Sequence, residues 1–418
     1  MYVGSTPTGS SIEKHLNLHS VFSYSEFGKA FNKLKKKNKY RQTSADFNLK
    51  DRYSDKRILN ALGKFIQKHS SDQARGLYRE VEIYSLRPYR GISILKKSGK
   101  YRPLLVPSPL DRLVFLTALP RIKGLIYKRL LKFSALGVGV KSEEGLKITI
   151  VSNKIFEKVK QKKTRYVLAL DFQDFFSTIH RDKLHRKLKT IFSKAEEKEL
   201  LKLLVLSINN PIESDDLFKA KFKNLNLETS GIPQGLAYSP LLASFFATSL
   251  DALVRRNKSV ISYRYLDDMV IIGPNKRNLI KIYRKIKSFS AKLGLKLHDL
   301  GGKTKILPVI NPDDSFDFLG ISFSKSGKHI TNQAIKKFLE TIKTEILTGR
   351  GLRTSPDNIK RVFKEYVTGW KQYYSAICPE HYKEIAPILA NEVRTYMLKK
   401  KAWKRIYLSD ENLFNLKE

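Results

Sequence analysis

Two apolar runs in this chain each lead into a carboxylate, and that pairing restricts its fold more than any other feature. The first is Y-V-L-A-L, residues 166–170, followed directly by Asp171. The second lies in I-S-Y-R-Y-L-D-D-M-V-I-I-G, residues 261–273, where Asp267 and Asp268 separate two runs rich in β-branched and aromatic residues. Such runs favour strands, and Asp is common in turns. The expected arrangement is a strand buried on both faces that ends on Asp171, and a β-hairpin with Asp267 and Asp268 at its tip. A solvated turn would account for the Asp pair taken alone. It does not account for Asp171, because a carboxylate closing a buried strand is costly without a cation. One Mg²⁺ or two, bridging Asp171 and Asp267, would meet that cost with hard oxygen ligands. Two ions so held form the clamp used for in-line displacement at phosphorus. Asp174 is a further candidate ligand, although a local capping or turn role suits it better.

The charge balance narrows the partners. Lys and Arg number 80 against 39 Asp and Glu, a net charge of +41. Such an excess points to polyanionic partners, chiefly nucleic acid, with an anionic membrane surface as the rival. No apolar run reaches the roughly 18 residues that a spanning helix needs. The N-terminus lacks a charged-then-apolar signal pattern. The single cysteine, Cys378, excludes an intrachain disulfide framework and a Cys-rich zinc module, which fits a reducing cytoplasm.

The rest of the chain supplies the frame. The run K-L-K-K-K-N-K-Y-R at 33–41 is a solvated basic face or an RNA-contacting arm, and residues 55–69 have helical apolar spacing. Residues 91–107, G-I-S-I-L-K-K-S-G-K-Y-R-P-L-L-V-P, read as a hairpin with its turn at Ser98-Gly99. Residues 111–131 read as two helical pieces interrupted at Pro120. Helices follow at 181–191 and 195–208, with Asp215 and Asp216 in a solvated loop. In T-S-G-I-P-Q-G-L-A-Y-S-P, residues 229–240, Gly231, Pro233 and Gly235 demand a special loop backbone. Ser239 and Pro240 then suit the N-cap and first position of a helix over 241–254. Residues 279–293 form a basic amphipathic helix, 316–323 alternate, and helical periodicity returns over 334–347, 357–374 and 380–398.

The order of an apolar strand ending on Asp, then G-I-P-Q-G, then Y-L-D-D resembles the palm of the reverse transcriptases, over about residues 90–325. The resemblance implies an α+β right-hand polymerase fold: an N-terminal region and fingers over 1–160, an antiparallel-sheet palm over 161–325, and a helical thumb over 326–418. It implies catalytic metal binding by Asp171, Asp267 and Asp268, with the Phe172 carbonyl as a further ligand, and two Mg²⁺ ions or Mn²⁺ in their place. It places Lys100 and Arg102 on the incoming triphosphate, Gln234 and Gly235 against the nascent base pair, and Lys303 as a proton donor to the pyrophosphate. Phe176 would block the ribose 2′-hydroxyl, or else simply fill the core as Phe175 does. The alternating residues 316–323, F-D-F-L-G-I-S-F, resemble the family's primer grip, a hairpin at the palm–thumb border. Gly137-Val138-Gly139-Val140 departs from the family's aromatic-Arg-Pro-Gly block, with Lys141 as a substitute template contact. Among bacterial members the chain looks like the defence-associated, retron and abortive-infection groups, and Val367-Thr368-Gly369 echoes a retron thumb triplet. The implied partners are a structured noncoding RNA template, the DNA product and dNTPs, without a membrane; a homo-oligomer or accessory protein is left open. The expected activity is RNA-directed DNA synthesis in antiphage defence. A retron enzyme making RNA-linked DNA, an idle RNA-binding scaffold and a splicing maturase are the alternatives.

Overall fold

In a computed structural model, residues 16–32, 84–95, 99, 101–130, 148–343 and 356–399 are described. The expected basic arm, the helix at 55–69, Lys100, and the block around Gly137 and Lys141 lie outside them. The chain divides into two compact units, one of residues 1–35, 55–125 and 180–239, the other of 36–54, 126–179 and 240–418.

The first unit is built on a small sheet. Strands β1 (Tyr89–Leu95) and β2 (Tyr101–Val106) form the expected hairpin, with Leu95 opposite Tyr101, and β5 (Ile212–Glu213) adds to β1 in parallel. β2 is therefore an edge strand, where Pro103 is tolerated because no ladder donor is needed on that side. Helix α1 (Pro109–Leu130) is continuous through Pro120, where two pieces were expected. Proline removes one helical hydrogen bond, but Leu113, Val114 and Phe115 before it and Ile122 and Ile126 after it are fully buried. Their packing outweighs the local cost. Helices α4 (Arg181–Lys189) and α5 (Lys198–Ile208) precede β5 in the chain, and α6 (Asp216–Lys221) follows it. Asp215 is not solvated loop: its carboxylate caps α6 by accepting the Phe218 N–H at 2.7 Å.

The second unit holds an antiparallel sheet of order β6–β7–β3–β9, made of Ile261–Tyr265, Asp268–Gly273, Tyr166–Leu170 and Lys305–Pro308. β3 is an inner strand with buried Val167, Leu168 and Leu170, as its apolar run requires. β4 (Phe172–Gln173) continues from it and pairs with β8 (Lys296–Leu297). The short helix α3 (Phe175–Thr178) follows. Asp174 starts it in a left-handed conformation, φ 43°, and makes no side-chain cap, so only the turn half of its expected role is met. The helix expected over 241–254 is two, α7 (Ser239–Phe246) and α8 (Thr248–Arg255). Ser239 does not lead as a cap; its hydroxyl donates to the Pro233 carbonyl at 2.6 Å.

Helix α9 (Lys276–Leu293) packs its apolar face on β3, β7, β8 and α8, and Gly294, at φ 86°, ends it. β10 (Phe316–Phe318) and β11 (Ile321–Phe323) form the expected hairpin around Leu319 and Gly320, both at positive φ, and β12 (Lys328–Ile330) extends it to three strands. Helices α10 (Asn332–Thr341), α11 (Pro356–Ile377) and α12 (Pro379–Leu398) share a core with this sheet and with α2 (Ile148–Lys160). Trp370, Tyr374 and Tyr382 lie inside that core, so the aromatics of this region serve packing first. The α+β class expected from the sequence is the class found.

Candidate active site

The carboxylates meet because their strands are neighbours. β3 pairs with β7 in antiparallel register, Leu170 opposite Met269, so the end of β3 meets the start of β7. Asp171 leaves β3 at the end where the β6–β7 turn delivers Asp267 and Asp268. That turn has two residues, Leu266 and Asp267, closed by the pair Tyr265–Asp268. Leu266 sits at φ 57°, a conformation that costs a non-glycine residue about 1–2 kcal/mol.

The backbone strain at Leu266 has an identifiable counterweight. Arg264, fully buried, donates through Nη1 to the Leu266 carbonyl at 3.0 Å and through Nη2 to the Ser244 carbonyl at 2.9 Å. Its other contacts are bidentate to Asp251 on α8, at 2.9 and 2.7 Å. A charged fork held on both sides fixes the turn that presents the Asp pair. Sequence reasoning quoted Arg264 without assigning it; an Arg inside a run of strand residues was the signal.

Electrostatics report the crowding. Desolvation, and then repulsion from Asp267 and Asp171, push the Asp268 carboxyl up to about 6, with Lys303 opposing. Asp268 is exposed at the strand end, so of these causes the repulsion is the firmer one. Lys303 brings its ammonium to 3.2 Å from the Asp171 carboxylate, and His298 its Nε2 to 3.5 Å. The Lys303 loop is built by Gly301, at φ 98°, whose N–H donates to the Thr304 carbonyl at 3.0 Å. The turn at Gly301 and Gly302 thus brings Lys303 to the carboxylate. His298, unassigned from sequence, also has its Nδ1 3.3 Å from Gln173 Nε2, and its N–H donates to the Asp171 carbonyl at 3.0 Å.

Phe172 and Phe175 are buried and in contact, ring centroids 5.8 Å apart. Phe176 stands edge-on to Phe175 at 5.8 Å and is only half-buried, so part of its ring is left for another surface. Among the described residues no three His, Cys, Asp or Glu side chains form a ready ligand cage. The donor set nevertheless fits divalent cations: three hard-oxygen groups converge, and their mutual repulsion is what a bound cation relieves.

Arg102, Gln234 and Gly235 belong to the other unit. Arg102 is exposed on β2 opposite Ile94. The free edge of that strand receives the Gly231–Gly235 loop, where Leu105 N–H donates to the Gln234 carbonyl at 2.7 Å. Gly235, at φ 137°, lies so close that a Cβ would stand 2.1 Å from the Leu105 carbonyl oxygen; only glycine fits. A second buried arginine holds the approach to this loop. Arg181 donates to the carbonyls of Gly231 at 2.9 Å, Leu227 at 2.6 Å, Ser230 at 3.2 Å and Glu228, and to Asn209 Oδ1 at 3.4 Å. Burial pushes its guanidinium down to about 10, with Glu228 and Tyr89 opposing.

A carboxylate trio at the end of an antiparallel sheet, with a cation beside it, has the donor chemistry that metal-assisted nucleotidyl transfer uses. The sequence pattern of the reverse transcriptase (RNA-dependent DNA polymerase) family matches residues 94–323, and the chain belongs to that family. It is similar to the protein YkfC of Escherichia coli, 27% identical over 57% of this chain and 67% of that protein. It is also similar to Protein P of duck hepatitis B virus, 30% identical over 27% of this chain and 13% of that one. Apo telomerase of Candida tropicalis aligns with a TM-score of 0.45 at 11% identity, over 74% of this chain and 62% of that one. The chain thus spans two thirds of the bacterial relative's length and far less of the viral one's.

Proposed function

We propose that this protein copies RNA into DNA, with Asp171, Asp267 and Asp268 as its catalytic groups. The convergence of the three carboxylates, reported by the raised Asp268 carboxyl, carries this reading. The trio and the Phe172 carbonyl would hold two Mg²⁺ ions, or Mn²⁺, which would supply Lewis-acid activation and charge neutralisation at the phosphates.

The chain's own groups do the rest. Lys303, already against the Asp171 carboxylate, would serve as a cation and as the proton donor to the leaving pyrophosphate. Lys100 and Arg102 stabilise triphosphate charge as it grows on the leaving group. Gln234 and Gly235 offer backbone that a nascent base pair can approach closely. Phe176 is the wall beneath the sugar: two rotatable bonds and a large ring leave it little freedom to yield.

Extension of a DNA primer on an RNA template tests this. The wild-type chain incorporates dNTPs, and Asp267→Ala combined with Asp268→Ala incorporates none while still binding RNA. Undiminished synthesis by that variant would overturn the assignment. Phe176→Ala admits ribonucleotides with dNTP use little changed. Were Phe176 only core, its truncation would cost about 3–5 kcal/mol of stability and both nucleotide types would fail together. For the biological role, the motif resemblance supports antiphage defence with a dedicated noncoding RNA in the cytoplasm. A retron-type enzyme making RNA-linked DNA is the second reading, favoured by Val367-Thr368-Gly369. Sequencing the nucleic acid that copurifies with the protein separates them: RNA-linked DNA points to the retron, cDNA of one noncoding RNA to the first.

A further inference from the structure

We infer that the outer face of α9 is a second RNA-binding surface, separate from the catalytic carboxylates, that grips the phosphate backbone of a folded RNA. This rests on the proposed RNA template only for the identity of the polyanion. α9 carries no Asp or Glu in its length, and Arg277, Lys281, Arg284, Lys285 and Lys292 are all exposed. At 100° per residue these five fall within about 100° of arc, a single stripe along the helix. From Arg277 to Lys292 it runs about 22 Å at 1.5 Å per residue.

The opposite face is spent on the fold. Leu279, Ile282, Tyr283, Ile286 and Ser290 are buried against the sheet and α8. That decides between the two polyanions a basic amphipathic helix can meet. Membrane-surface helices sink an apolar face into the lipid boundary; this helix has none to spare, and offers only charge. The flanks add to the stripe rather than neutralise it. Arg255 and Arg256 at the end of α8, and Lys258 after it, are exposed as well. Asp299, which follows β8, meets Lys287, off the stripe, at 2.5 Å. A straight row of cations recognises phosphates by position and reads no base.

The test is a charge reversal on this outer face, Arg277→Glu with Lys281→Glu and Arg284→Glu, in the full chain. The probes are a structured RNA of stem-loops and a short primed RNA oligonucleotide that only the catalytic site engages. Affinity for the structured RNA falls at least tenfold, and the log–log salt slope drops by about one unit per lost phosphate contact. Extension of the short primed template stays at the wild-type rate. Unchanged affinity and slope would overturn the inference. So would loss of structured-RNA binding in the charge-conserving variant Arg277→Lys, Lys281→Arg, Arg284→Lys, because the surface would then matter through shape. Vesicles with phosphatidylserine that bind wild type but not the reversal variant, with RNA binding unaltered, would reassign the face to lipid. A wild-type chain that binds structured RNA through this face but extends no primer would defeat the polymerase reading alone.

Discussion

Two loops, one in each compact unit, are each held by a buried arginine, and they are held differently. Arg264, under the Leu266–Asp267 turn, faces a carboxylate partner and two carbonyls. Arg181, beneath the approach to Gly235, faces four carbonyls and an amide oxygen, and burial pushes it down to about 10. The first is an ion pair sealed from water. The second is a cation solvated by backbone dipoles beside a loop whose Glu228 and Thr229 are exposed. A sealed ion pair costs much to break, because its surviving partner has no water to turn to. A guanidinium holding a partly wet loop can be replaced in part by solvent. The turn that carries Asp267 is thus held by the stronger tie, and the loop that carries Gly235 by the weaker one.

The largest expected effect tests the sealed pair. Arg264→Met should destabilise the fold by about 3–5 kcal/mol, because the buried Asp251 carboxylate loses its bidentate cation. Adding Asp251→Leu should restore most of that stability, measured by denaturant unfolding. It should not restore turnover, since the Leu266 carbonyl still lacks its donor. Recovery of both together would show that Arg264 serves packing alone.

Arg181→Met should cost less, about 1–3 kcal/mol, as water reaches some of the freed carbonyls. Its signature is kinetic: KM for dNTPs rises more than kcat falls, because the loop is loosened and the carboxylates are not. Arg181→Lys should rescue little, since one ammonium cannot span carbonyls that a planar fork reaches together. A stability loss equal to that of Arg264→Met would erase the distinction between the two loops.

The smallest effect is on pH. The Asp268 carboxyl is raised in the folded chain to about 6, from an ordinary value near 3.8. A raised carboxyl favours the folded state when protonated, so stability is lost as pH climbs from about 4 through 6. Asp268→Asn removes that penalty. In chelator, it should raise Tm by about 1–2 °C above pH 7, discounted for an exposed group, and by nothing below pH 4. A gain that persists at pH 4 would mean the asparagine packs better, not that repulsion was relieved.

The strands, the hairpin and the glycine loop were legible in the sequence because each depends on neighbours along the chain. A period of two fixes a strand, and the Y-L-D-D stretch carries both strands of its hairpin within itself. The Gly235 requirement was legible as a need for unusual backbone, but its cause, the Leu105 carbonyl, was not. Local rules also misjudged Pro120, where burial on both sides keeps α1 whole, and the 241–254 helix, which breaks at Ala247 between α7 and α8.

The sequence by itself determined that carboxylates would close two strands and that the chain would need an anionic partner. It could not say which of its 80 Lys and Arg residues would leave water. Among the described residues, Arg181 and Arg264 are the buried cations. Burying a charge is decided by partners from separate elements arriving together: Asp251 on α8 for one, a run of loop carbonyls for the other. The contact of Lys303 with Asp171 has the same character, for β8 and β9 must first pair beside β4 and β3. Those pairings join residues far apart along the chain, and only the tertiary structure brings them within reach.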